Sequence, residues 1–525
     1  MRIIIHIIRP LVLTLLVLTS VTTRALAQEV SIPDPGLNAA VRAALQKPSG
    51  PLTQQDLLSL TNLNASRRNV SSIVGLDAAR NLVSLDLQIN LLTNLSFPNG
   101  LTNLSLLNLS SNPLLSFSLP GGLTNLTSLT LESDGFTNLA LPAGLTGLTN
   151  LDLENNQLTG LNQLSNLTSL VALDLGFNSF TNFTLPGGLT NLSTFYFAGN
   201  PLASVALPSG LTGMTELDLS QNLLTSVTLP EGMTNLIELN LGFNQLTNLS
   251  LPADLRNLIE LNLDFNRLTA LNFPSNLTRL GELHLRSNQF TNFSLPAELT
   301  TLTVLDVSRN PLTSIALPAG LGHLAALRLS QNQLASLTLP VGMTNLTGLD
   351  LSVNLLTDLV LPPDLNRLES LDVIDNQLTR LNLPPGLTNL AGLFFVGNQL
   401  TSVTLPPDLT QLVDLGFLAN PLATFVLSEL TATNLAEDVA ALRNQRVSVF
   451  TYPLTIQLVS PRMTQAGVFE LALVGPPGIY TTLASTNLAD WSELGTVTNQ
   501  IGSVRFSDAP ASLIPQKFFR AQSTP

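Results

Sequence analysis

Four glutamates recur at one spacing, Glu216, Glu238, Glu260 and Glu282, each 22 residues after the last. Carboxylates held in a row can serve proton transfer, metal ligation or recognition of cations. Hydrolytic catalysis needs more: a nucleophile, a base or a metal. The chain has no Cys and three His. His6 lies in the leading segment, His323 in "GLGHL", where a solvated turn is expected, and His284 in "LHLRSN". Asp306 follows His284 by one 22-residue step and would neighbour it, so a Ser–His–Asp set is conceivable. No G-x-S-x-G elbow accompanies it, and there is no glycine-rich phosphate loop or His pair at ligand spacing. The residues therefore suggest no catalytic group, no metal site and no cofactor. Recognition remains. Phe243 and Phe265 share a second position in the same 22-residue step, and Tyr196 lies nearby. With Asp218, Asp264, His284 and Arg286 they define a candidate patch of acids and aromatics around the four Glu.

Side chains 22 residues apart can share a patch only if the chain returns to the same place every 22 residues. It does. From Asn90 to Asn420 every 22nd residue is Asn, with the single exception of Asp134. Asn69, 21 residues before Asn90, reads as an earlier member. Around Asn222, Leu217 and Leu219 alternate as in a short strand. Leu224, Val227, Leu229, Pro230, Met233 and Leu236 follow. The consensus is LxLxxNxLTxLxLPxGLTNLxx. It resembles the leucine-rich repeat in the short bacterial form of internalin-like proteins, and covers residues 60–432.

One repeat is one coil of a solenoid and cannot bury its leucines alone; stacked coils bury them against each other. The Asn amide both donates and accepts, so it can pair backbone groups of neighbouring coils that would otherwise be buried unsatisfied. The ladder is thus structural. Pro230 and its equivalents bar a helix behind the strand. The expected fold is a leucine-rich repeat solenoid: a curved parallel β-sheet on the concave face, and extended segments with 3₁₀ turns on the convex side. The coil carrying Gln163 and Leu164 breaks the consensus, so an irregularity is expected there. The many N-x-S/T triplets read as by-products of the repeated "TNLS" and "TNLT".

Positions six, four, two and one before each ladder residue should face outward from the sheet. They hold sixteen Asp or Glu and three Arg, out of 35 acids in the whole chain. Parallel strands lie about 4.8 Å apart, so the Glu column brings like charges together. That arrangement costs stability unless something cationic offsets it.

The ends differ in pattern. Residues 28–59 read as a helical N-terminal cap, with Leu37, Val41 and Leu45 on one face and Pro35 at the start. Residues 433–453 read as the C-terminal cap, with a helix over 434–444 capped by Asn434. Residues 454–525 lose the 22-residue register. They alternate polar and apolar in short runs, which predicts a β-sandwich-like module. It resembles C-terminal β-modules of secreted bacterial proteins with a "STNLADW" type of segment. Trp491, the only Trp, is expected in its core. Residues 1–27 have Arg2 and Arg9, an apolar run and "ALA", the pattern of a secretory signal peptide cleaved before Gln28.

Charged residues are only 11% of the chain, and the net charge is −13, which argues against nucleic acid or an anionic membrane as partner. No segment after residue 27 is apolar enough to span a bilayer. The sequence therefore points to an exported, non-catalytic binding protein of the secreted or cell-surface kind. Its partner would be an extracellular protein or glycan of cationic character, held on the acidic concave face. The competing reading is a structural spacer that displays the C-terminal module; an enzyme is a weaker third.

Overall fold

The computed structural model describes residues 28–465, 468–508 and 516–524, and the expected signal peptide lies outside them. They form two compact units: one runs to Asp134 and includes Leu141–Gly147; the other holds Gly135–Ala140 and everything from Leu148 on.

The first unit opens with the helix Pro35–Ala44. Pro35 suits the first turn, where its missing N–H costs nothing. Asp34 caps it by accepting from Leu37 N–H, and its other oxygen accepts from Ser71 N–H at 2.7 Å. One carboxylate thus ties the cap to the first coil. A second short helix, Gln54–Leu58, starts with a capping box between Thr53 and Asp56. Strands Asn62–Asn64, Ser84–Asp86, Leu106–Asn108 and Ser128–Thr130 then pair in parallel, each residue with the one 22 further on. Asn69 is no ladder member. It is exposed, and Asn90 accepts from its two neighbours, Arg68 and Val70. A spacing of 21 puts its side chain out of register.

The second unit continues the pattern from Asn150–Asp152 to Asp414–Gly416, one three-residue strand per coil. Within each strand the central Leu or Phe is buried and its two neighbours are more open, as in Glu216–Asp218. The side behind the ladder is extended, with short parallel pairs such as Asn182–Thr184 with Ser204–Ala206. At the irregular coil a 3₁₀ turn, Leu164–Asn166, follows Gln163, which takes a left-handed φ of 72°.

The last coils are closed by two helices, Glu429–Asn434 and Ala436–Asn444. The expected single helix capped by Asn434 is corrected: Ser428 caps the first helix through Thr431 N–H. Asn434 is its final residue, and its amide donates to Thr410 O at 3.0 Å. Beyond them lie two three-stranded antiparallel sheets whose core is Leu471, Leu473, Tyr480 and Phe506. Trp491 is outside that core. It is half-buried, donates to Leu488 O, and carries the Arg520 guanidinium 4.4 Å from its ring centre.

Candidate functional site

The ladder fixes where every outward side chain sits. Asn244 shows how. Its Nδ2 donates to Leu219 O at 2.9 Å in the preceding coil and to Leu241 O at 3.1 Å in its own, while its Oδ1 accepts from Leu224 N–H at 3.1 Å. Each such Asn satisfies buried backbone of two coils at once, so the coils cannot slip past each other. Asp134 takes the Asn112 N–H at 2.7 Å. Burial pushes its carboxyl up to about 7.

This register sets the four Glu side by side: Glu216 faces Glu238, Glu238 faces Glu260, and Glu260 faces Glu282 in successive strand pairs. Glu238, in mid-column, is held above the usual carboxylate range by burial and by Glu216 and Glu260. Among the described residues no Lys or Arg forms an ion pair with any of the four. At one end the Tyr196 hydroxyl donates to Glu216. Tyr196, Glu216, Asp218, Glu238, Asn240 and Glu260 line a cup of about 90 Å³. At the other end His284 Nε2 lies 3.3 Å from Glu282.

The aromatic column lies further along the same face. Phe243 and Phe265 stack with ring centres 4.3 Å apart and planes 12° from parallel, and Phe243 is half exposed. Arg286 sits over Phe265 at 5.9 Å, and its own N–H donates to Asp264 at 2.7 Å. Asp264 is raised by burial first, then by Asp306. Asp218 accepts from Ser220 N–H and from Asn240. All eleven residues of the candidate patch therefore occupy one face of consecutive coils. The conceivable triad does not assemble. Asp306 is register partner of His284, but its Oδ1 accepts the Ser308 N–H and hydroxyl, and the imidazole Nε2 is directed to Glu282 instead.

Three features escaped the sequence reading. The residue before each ladder Asn is left-handed: φ is 55° at Phe243 and 53° at Phe265. Gly199 and Gly397 fill that position without strain. The other coils hold side chains there too, Ile89, Gln221 and Val353 among them, so the left-handed turn belongs to the coil and not to the Phe rings. Phe177 is a third such ring, 45% exposed with φ of 51°, and the 22-residue step could have found it. A second Asn ladder runs along the opposite loops. Asn103, Asn125, Asn235 and Asn345 each donate to the carbonyl 23 residues back. His323 takes the same place, with Nδ1 3.2 Å from Thr300 O. Finally, Asp152, Glu154 and Asp174 gather in the coils before Tyr196, and burial pushes Asp174 up to about 7.

Residues 88–172, 176–290, 245–349 and 307–424 match the family model described as BspA type leucine rich repeat region (6 copies). No curated protein matches the chain. Among solved structures, YopM from Yersinia enterocolitica WA-314 is 26% identical with a TM-score of 0.50, over 74% of this chain and 91% of that one. The functional domain of InlJ from Listeria monocytogenes is 20% identical with a TM-score of 0.53, over 86% and 97%. That domain includes a cysteine ladder, whereas this chain builds its ladder from Asn and has no Cys. The Toll–Spatzle complex of Drosophila matches at 25% identity and a TM-score of 0.50, over 71% of this chain and 51% of that one.

Proposed function

Since this chain belongs to the BspA-type leucine-rich repeat family, we propose that it binds a cationic extracellular protein or glycan on the outward face of its strand ladder, without catalysis. The family fold is a binding scaffold, and one structural relative is itself a complex of Toll with Spatzle. The observation that carries the reading is the Glu column. Four like charges at strand spacing, with no Lys or Arg ion-paired to them among the described residues, repel one another. A solubilising surface needs charge, but not charge stacked in one column. Beside it, the two stacked Phe rings, of which Phe243 is half exposed, offer an apolar shelf. A lysine-rich segment or an amine-bearing glycan fits both: ammonium on the carboxylates, carbon skeleton on the rings. The leading "ALA" pattern supports export, which puts such a partner outside the cell.

The test is the quadruple variant Glu216→Gln, Glu238→Gln, Glu260→Gln and Glu282→Gln. It keeps shape and removes repulsion. We expect a slightly higher melting temperature and loss of binding to extracellular partners captured by the parent. Equal capture by both proteins would leave the column a solubilising surface and favour the spacer reading.

A further inference from the structure

We propose that Glu260, Glu282 and His284 form a binding site for a divalent metal ion of the zinc class. Glu260 and Glu282 are register partners on adjacent strands, and His284 follows Glu282 by two residues, so all three point to one face. One donor atom from each, two carboxylate oxygens and one imidazole nitrogen, lie within 4.8 Å of one another. The His284 Nε2 to Glu282 Oε2 distance is 3.3 Å. It is long for a charge-assisted hydrogen bond, for which about 2.7–2.9 Å is usual. It matches the edge of a tetrahedron whose bonds are those of zinc to nitrogen and oxygen: bonds of about 2.05 Å give an edge of about 3.3 Å. Glu260 has three side-chain torsions with which to close the third edge. All three residues are half-buried, His284 with 20% of its side chain exposed and Glu282 with 44%. The pair is thus partly shielded, yet open to an ion.

The donor set also selects the metal. Calcium and magnesium take six or more oxygens, and an imidazole is a poor ligand for them. One imidazole with two carboxylates suits zinc and leaves a fourth position open to water or to a donor from outside. A separate all-oxygen cluster on earlier coils, Asp152, Glu154 and Asp174, lacks the nitrogen and serves as an internal contrast. Arg286, the nearest cation along the strand, is directed over Phe265 and does not form an ion pair with these groups. A metal here would join two coils at the end of the acidic column. The inference does not depend on the partner proposal, because the ion is measured with no partner present.

The experiment titrates Zn²⁺ into the full, chelator-stripped chain by calorimetry, with Co²⁺ absorption as a readout of tetrahedral coordination. One saturable site is expected. His284→Asn should weaken it about tenfold or more. The fold should survive this change, because Asn240 and Asn262 occupy the same strand position in the two preceding coils. Glu282→Gln should weaken binding similarly, and Asp174→Asn should leave it unchanged. The inference is overturned if the parent takes up no Zn²⁺, if both site variants bind as tightly as the parent, or if only Asp174→Asn abolishes binding.

Discussion

At the residue scale, the ladder position distinguishes an amide from a carboxylate. Asn244→Leu strands Leu224 N–H, Leu219 O and Leu241 O in a dry interior. A loss of about 1–3 kcal/mol is expected in denaturant titration. Asp134 is the reverse case. Its carboxyl is raised to about 7 by burial, from an ordinary value of 3.8. The folded state therefore holds the proton more tightly than the unfolded one. The stability this contributes is complete below about pH 4 and is lost as pH rises through about 7. Asp134→Asn restores the donor and removes the titration. It should stabilise the chain by about 1–3 kcal/mol at pH 8, with the gain shrinking towards pH 5. A gain that is the same at both pH values would show that Asp134 is ionised throughout.

At the scale of the coil, one 22-residue unit is the smallest piece that can be removed without breaking register. Deleting residues 321–342 joins Gly320 to Met343 and leaves every later strand facing its proper partner. The loop even keeps its fastening. Gly342 N–H now donates to Asp364 at 2.5 Å, and Gly320, left-handed like Gly342, would take that place. Deleting only residues 321–331 moves ladder residues off the ladder. The longer deletion should melt close to the parent and the shorter one well below it; the opposite order in thermal melts would contradict the coil assignment. The same logic explains what could be read in advance. The coil and the Glu column were legible because their residue types repeat with the fold. Asn103 and its equivalents repeat too, but were read as consensus filler, since nothing in the letters says which carbonyl lies 23 residues back. The left-handed position was not legible. It holds Ser, Gln, Arg, Val and Phe in different coils, so only the backbone reveals it. Asn434 misled because a cap is a property of φ and ψ, and Ser428 already held the helix start.

At the scale of the whole molecule, what matters is charge and where it stands. The chain carries −13, and the patch from Tyr196 to Arg286 lies entirely within the second unit. An acidic face raises the local concentration of a cationic partner and speeds its encounter, an effect that salt screens beyond about 8 Å at physiological ionic strength. Neighbouring carboxylates in the column are closer than that, and the Phe243–Phe265 shelf is indifferent to salt. Two measurements separate the readings of the whole protein. If the ladder face does the binding, a chain ending at Pro453 should keep its partner, with an association rate that falls about tenfold or more between 50 mM and 500 mM salt. Dissociation should change far less, because the contacts that hold the complex together are short-range. If the repeats only display the C-terminal strands, the shortened chain should lose its partner while the quadruple Gln variant keeps it. The two outcomes cannot both occur, since one places the contact before residue 454 and the other after it.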